Sequence, residues 1–450
     1  MRIFEKKNPF SRPFAILLVV AGMVAISWGW ALARSTAPSP AQAEDYFANV
    51  ASRSGATTDR LIEKLQARLR AAPGDWPAYS QLGVAYLQKA RETGDPIYYQ
   101  KAEAVLQRAL SLEPEDYVAI SALGGLALAQ HQFSSALEFG ERARQIDPYQ
   151  TYAYGVIADA QIELGHYEQA VETLQAMVDL RPDMSSYSRI SYLRELHGDT
   201  DGALEMMQWA VDAGGPKSEN SAWTRTQLAN LYFNAGNLQG AEAEYQRTLQ
   251  GMPGYVYALA GLGRVRAAQG QTEEAIRLLT DASRSMPLPE FVISLGEIYQ
   301  TSGQAEAAQE QYELVRTIQQ LYQANGVDVD LEMALFNTDH GQGPAGTVER
   351  ARQAFARRPS IHAADVLAWT LYKAGDYQEA RSFSEQALRL GTKDALKLFH
   401  AGMIAYRLGD NTAARHYLER ALAINPHFSI MYADEARLTL QKLQATSPAD

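Results

Sequence analysis

The side chains that could do chemistry are few and scattered. Gly341-Gln342-Gly343-Pro344-Ala345-Gly346 matches G-x-G-x-x-G, the spacing with which a glycine turn admits a pyrophosphate to the start of a helix. That fingerprint needs a strand before it, whereas Leu331 to Phe336 has helical spacing, so no phosphate site is expected. Asp328, Asp330, Glu332 and Asp339 gather carboxylates enough for a calcium loop, but the glycine at the sixth position of an EF-hand loop is missing and Glu332 falls in the helical run. A solvated helix start is expected instead, with Asp328 or Asp330 as N-cap. The eight histidines include no H-E-x-x-H and no pair at i, i+4. His131, His166, His197, His340 and His427 fall at turns or helix ends, where surface positions explain them better than ligation. There is no G-x-S-x-G elbow, no P-loop and no cysteine, which removes thiolate metal sites, disulfides and c-type haem attachment together. Catalysis, cofactors and metals are not expected.

The elements that would position any site form a repeat. Proline recurs at Pro114, Pro148 and Pro182, and again at Pro253 and Pro287, in steps of 34 residues. The same landmarks return between prolines: Leu123-Gly124, Ala136, Ala143 and Pro148, then Ile157-Ala158, Gly165, Ala170, Met177 and Pro182. A period of that length marks an array of two-helix units, each too small to bury its apolar face alone. Alanine and glycine stand where helices approach closely, a turn glycine takes the left-handed conformation, and proline ends the second helix. The 46% hydrophobic and 21% charged residues suit a folded chain, and a formal charge of -11 argues against a nucleic-acid partner.

This pattern resembles the tetratricopeptide repeat (TPR) family, and the chain as a whole is similar to bacterial membrane-anchored multi-TPR proteins. The resemblance covers residues 58–426 and implies an all-α, right-handed superhelical solenoid of about ten helix-turn-helix units. A leading helix, Asp59 to Ala71, precedes a first unit that is seven residues longer than the period, with the excess placed at Arg91 to Tyr99. The fourth unit ends in Gly214-Gly215, and an extension from Pro216 to Ser221 leads to the fifth. The second helix of the seventh runs on to about Ala324, where Asn325-Gly326 stops it; a weaker eighth spans Asp328 to Pro359. Residues 427–450 read as a capping helix, Tyr432 to Leu443, and a tail.

Ahead of the array, Arg2, Lys6, Lys7 and Arg12 make residues 1–12 basic, and residues 13–33 form an uncharged run long enough to cross a bilayer. The charge asymmetry predicts a transmembrane helix with the array on the periplasmic or extracellular side, followed by a linker at 34–57. Ala41-Gln42-Ala43 and Ala31-Leu32-Ala33 are A-x-A sites, so a cleaved signal peptide and a secreted array is the other reading.

In TPR proteins the first helix of each unit lines a concave groove. Carrying that register over implies a groove of Tyr152, Asp159, Tyr192, Glu195, Trp223, Asn230, Phe233, Tyr257, Arg264, Glu297, Trp369, Tyr372, Phe399 and Tyr406. Aromatics interleaved with charges suit a protein or peptide partner, although a one-residue shift of register would make any of these rings inter-repeat core. The lysine-asparagine clamp by which chaperone-binding TPR domains hold a C-terminal carboxylate is incomplete. Asn230 is present, but Thr226, Tyr257 and Gly261 stand where its partners would be, which implies an internal segment or a folded surface as ligand. Two functions follow: a non-enzymatic, membrane-tethered interaction scaffold, or an accessory subunit of an envelope enzyme complex in glycan or cell-wall assembly.

Overall fold

Local chemistry sets the helix boundaries. Asp75, Asp116, Asp199, Asn237, Ser360 and Asp410 each accept a backbone N–H of the first turn, and Asp183 forms a capping box with Ser186. Inside the units, small residues let helices meet. A Cβ on Gly83 would lie 2.4 Å from Leu106, on Gly263 2.9 Å from Leu279 and on Gly402 2.8 Å from Leu418. Ala102, Ala136, Ala170, Ala203, Ala241, Ala275, Ala380 and Ala414 are wholly buried at the same interfaces. Burying Leu106, Leu174 or Leu279 completely contributes about 1.5–3 kcal/mol each, and each sits against a neighbouring helix.

In the computed structural model, which describes residues 55–215, 218–341 and 344–445, these preferences produce 22 helices and no strand among the described residues. Helix α1 (Gly55–Ala71) leads ten units: α2 (Trp76–Thr93) and α3 (Ile97–Leu112); α4 (Tyr117–Ala129) and α5 (Phe133–Ile146); α6 (Thr151–Glu163) and α7 (Tyr167–Leu180); α8 (Met184–Leu196) and α9 (Thr200–Asp212); α10 (Glu219–Asn234) and α11 (Leu238–Gly251); α12 (Val256–Ala268) and α13 (Thr272–Ser285); α14 (Pro289–Thr301) and α15 (Ala305–Ala324); α16 (Asp330–His340) and α17 (Pro344–Arg357); α18 (Ile361–Ala374) and α19 (Tyr377–Ala387); α20 (Ala395–Arg407) and α21 (Asn411–Ile424). Helix α22 (Ala433–Ala445) closes the stack against α21. Each helix packs on its unit partner, and first helices of adjacent units also touch, as α4 and α6 do.

Several boundaries differ from the sequence reading. The excess of unit one lengthens its helices, 18 residues in α2 and 16 in α3, rather than forming a loop, because Leu82, Tyr86, Leu87 and Ala90 keep burying the same face. The extension after unit four is shorter than expected, since Ser218 already caps α10. Residues 425–432, expected partly within the capping helix, are not helical. The expected transmembrane helix at 13–33, with the basic segment and linker beside it, lies outside the described residues. Among those described, no helix is long and apolar enough to cross a membrane.

The array winds so tightly that its successive turns touch. The turn inside unit one, at Gly94, meets Met286 and accepts a hydrogen bond from Tyr322 Oη at its carbonyl. In unit two, Gln130 O accepts from Asp328 N, and the backbone of Asn325 and Gly326 receives Gln130 and Gln132 Nε2. In unit three, Tyr167 Oη accepts from Ile361 N; in unit four, Gly198 abuts Gly391; in unit five, Phe233 O accepts from Asn425 Nδ2 at 2.9 Å. Every turn from units one to five thus rests on the junction five units further on. Between five and six units complete one superhelical turn, and the first helices face a lumen enclosed from the side.

Candidate functional site

The lumen holds two cavities. The larger, about 920 Å3, is walled by the first helices of units five to eight and by residues 427–437; the smaller, about 680 Å3, is walled by units three to six. Trp223, Gln227, Asn230 and Arg264 line both, so the two adjoin at these side chains. Trp223 and Tyr192 are each 41% exposed, although both belong to inward-facing helices. These are the ring faces left to groove solvent, and an apolar body with a polar tip suits them to a wet, recognising surface.

The sequence-derived residues divide under this geometry. Trp223, Asn230, Phe233, Tyr257, Arg264 and Glu297 come together around the larger cavity, and Asp159, Tyr192 and Glu195 join Trp223, Asn230 and Arg264 around the smaller. Tyr152 is half-buried and fills the space over Gly125, where a Cβ would lie 2.6 Å from its hydroxyl. Trp369 and Phe399 are core, each 0% exposed. Tyr372 stacks on Trp369 at 4.7 Å and Tyr406 packs on the same cluster, so the aromatics of units nine and ten hold that end of the stack together and line neither cavity.

Several polar groups of the groove already have partners. Arg189 grips the Asp159 carboxylate with Nε and Nη2, at 2.9 and 2.8 Å. Asn230 Oδ1 accepts from Tyr245 Oη, whose ring occupies the space that Gly261 leaves by lacking a Cβ; the incomplete clamp is therefore an internal bond. The Arg264 guanidinium lies 4.4 Å over the Phe233 ring. Glu195 accepts from Asn234, and burial raises its carboxyl above the usual range. Glu297 stands out. Burial, with Asp339 nearby, pushes its carboxyl up to about 8, and the basic atom within 4 Å is His340 Nε2 at 3.8 Å.

Of the other candidates in the sequence, some stand where expected and some do not. Val329 holds the N-cap position of α16, but Asp328 Oδ1 accepts from the N–H of Asp330, the first helical residue, and the two carboxylates also pair with Arg357 and Arg350. Glu332 pairs with Arg358 at 2.7 Å, and Asp339 accepts from both Trp369 Nε1 and Tyr432 Oη. Among the described residues no group of three acidic or histidine side chains is placed to hold a metal. His340 is buried, not on the surface, between Tyr312 and Phe336, and burial lowers it to about 4. His400, 1% exposed, faces Asp365 at 3.1 Å. Gly341 ends α16 in the left-handed conformation, as a helix stop does. The sequence reading missed Phe291, Phe336 and the 427–432 stretch, apart from Met431, as cavity walls. The available signal for the last was four apolar residues, Phe428, Ile430, Met431 and Tyr432, where a capping segment ought to turn polar.

A solenoid of helical pairs with its first helices turned inward defines this as a helical-repeat protein. Tetratricopeptide repeat profiles match residues 98–151, 127–194, 235–292 and 366–428, so the helical pairs of these spans are tetratricopeptide repeats. The chain is 25% identical over 286 residues to the Protein CTR9 homolog of Arabidopsis thaliana, covering 61% of this chain and 25% of that one. It is also 25% identical over 317 residues to Cellulose synthase operon protein C of Komagataeibacter xylinus, 66% of this chain and 22% of that one. The chain thus spans a quarter or less of the length of these curated relatives. Among solved structures, a thermophilic TPR protein of Thermus thermophilus aligns at 24% identity and a TM-score of 0.38, covering 44% of this chain and 98% of the other. YrrB, described as a TPR protein with an unusual peptide-binding site, aligns at 19% and a TM-score of 0.28, covering 41% and 94%.

Proposed function

We propose that this chain is a non-enzymatic interaction scaffold that holds a segment of a partner protein in the lumen of a right-handed superhelix, tethered through residues 13–33 with the array on the periplasmic or extracellular side of a membrane, or secreted if that segment is cleaved. The observation that carries the reading is the inner surface of units three to eight, where the exposed rings of Trp223 and Tyr192 stand among fixed polar groups. Aromatic anchors of this kind supply about 2 kcal/mol or more at the centre of an interface. Because successive superhelical turns are in contact, the surface suits a narrow segment better than a folded domain.

Similarity to proteins named for a cellulose synthase operon favours a second reading, an accessory subunit that positions substrate or a catalytic partner in an envelope complex. Capture of partners from detergent-solubilised membranes tests both. Trp223→Ala is expected to reduce recovery at least about tenfold, the factor that about 1.4 kcal/mol implies, while Gln246→Ala on the outer face changes nothing. Undiminished recovery with Trp223→Ala overturns the groove reading; enzymatic activity in the recovered complex selects the second role.

A further inference from the structure

The junctions between units range from three residues, as after unit three, to seven, 388–394, after unit nine, and eight non-helical residues, 425–432, separate α21 from α22. They cross the lumen. Asn425 Nδ2 donates to Phe233 O of unit five, 192 residues away. Ile430 packs on the cluster of Val256, Ala260, Met286, Leu288 and Phe291, from units six and seven. Tyr432 donates to Asp339 of unit eight at 2.7 Å, and its ring lies 5.5 Å from Trp369 and 5.3 Å from Phe399, in units nine and ten. Phe428 stacks near Phe399 at 5.4 Å, while Ser429 Oγ accepts from the backbone N–H of Met431 and Tyr432 and fixes the bend. The bond to unit five repeats the inter-turn contact of the earlier junctions, and the rings of units nine and ten are core, but a connector that only joined two helices has no need to reach the inner faces of units six to eight, as Ile430 and Tyr432 do.

Resting on the groove reading above, we propose that this connector occupies a peptide-binding site in cis, and that the site's ligand is a short partner segment with the same pattern: an aromatic residue, an aliphatic one two positions on, and a tyrosine two beyond that. The aliphatic seat on units six and seven and the hydroxyl acceptor at Asp339 set the spacing. The remaining cavity of about 920 Å3 lies directly beside the connector, so an incoming segment has room to engage Trp223 and Tyr257 before it displaces Ile430. The connector then acts as a competitor of fixed effective concentration, and a ligand must outbind it to enter.

The test uses the full chain and a fluorescein-labelled peptide with the sequence of residues 425–433, Asn-Pro-His-Phe-Ser-Ile-Met-Tyr-Ala, read by anisotropy beside a scrambled control. Ile430→Asp places a charge in the apolar seat and expels the connector, and it is expected to bind the peptide at least tenfold more tightly than the wild type, with the scrambled peptide unbound. Should Ile430→Asp lose its helical circular dichroism, Tyr432→Phe, which removes only the bond to Asp339, is expected to give a smaller gain in the same direction. Equal affinity for wild type and the folded variant, or no binding by either, overturns the proposal. If that happens while Trp223→Ala still abolishes partner capture, the groove reading stands and only the built-in competitor falls.

Discussion

At the residue scale, Glu297 shows how burial changes what a carboxylate does. Its environment is Asp339 and His340 on α16 and Arg264 on α12, and the opposing guanidinium does not offset desolvation and the second acid. An unfolded glutamate titrates near about 4.3, whereas the folded group holds its proton up to about 8. Over that interval the folded chain binds more protons than the unfolded one, so the group's contribution to stability is present below the lower value and is lost as pH rises through the upper. Glu297→Gln removes the titration. The wild type should lose more Tm between about pH 5.5 and 8.5 than this variant does; parallel Tm curves would show that Glu297 ionises normally.

At the element scale, the array stands on small residues at helix crossings. Ala170 on α7 is wholly buried against the cluster of Leu174, Ile190 and Leu193, so Ala170→Leu forces helices apart and should cost about 1–3 kcal/mol, felt mainly in units three and four. Glu168, on the exposed face of the same helix, should accept leucine within about 0.5 kcal/mol. Chemical denaturation separates the two, and coincident midpoints would contradict the helix register. The same logic explains why this level was readable beforehand. A crossing that admits only alanine or glycine imposes its constraint on nearby positions within one 34-residue unit, as at Gly83 with Leu106 or Gly402 with Leu418, so the pattern of small residues reports it directly.

At the scale of the whole molecule, the stacked superhelical turns give the turn glycines two different jobs. Gly198 has φ +72°, and a Cβ there would sit 2.3 Å from Gly391 O, while Gly270 has φ +75° and nothing within 4 Å. Gly270→Ala incurs only the left-handed strain, about 1–2 kcal/mol. Gly198→Ala carries that strain and also drives a methyl into fixed backbone on the next turn, so it should be the more destabilising and should expand the molecule in small-angle scattering. Identical Tm and radius of gyration for the two variants would mean that the turns are not in contact. By itself, the sequence determined the two-helix unit, its period and its small-residue crossings, because all of these follow from residues within one unit. Only the tertiary structure decided that unit n rests on the junction after unit n+5, that Trp369 and Phe399 are core while Trp223 is open, and that residues 425–432 cross the lumen. Small rotations per unit accumulate along the solenoid, and contacts made 192 residues apart, such as Asn425 with Phe233, leave no periodic trace in the chain.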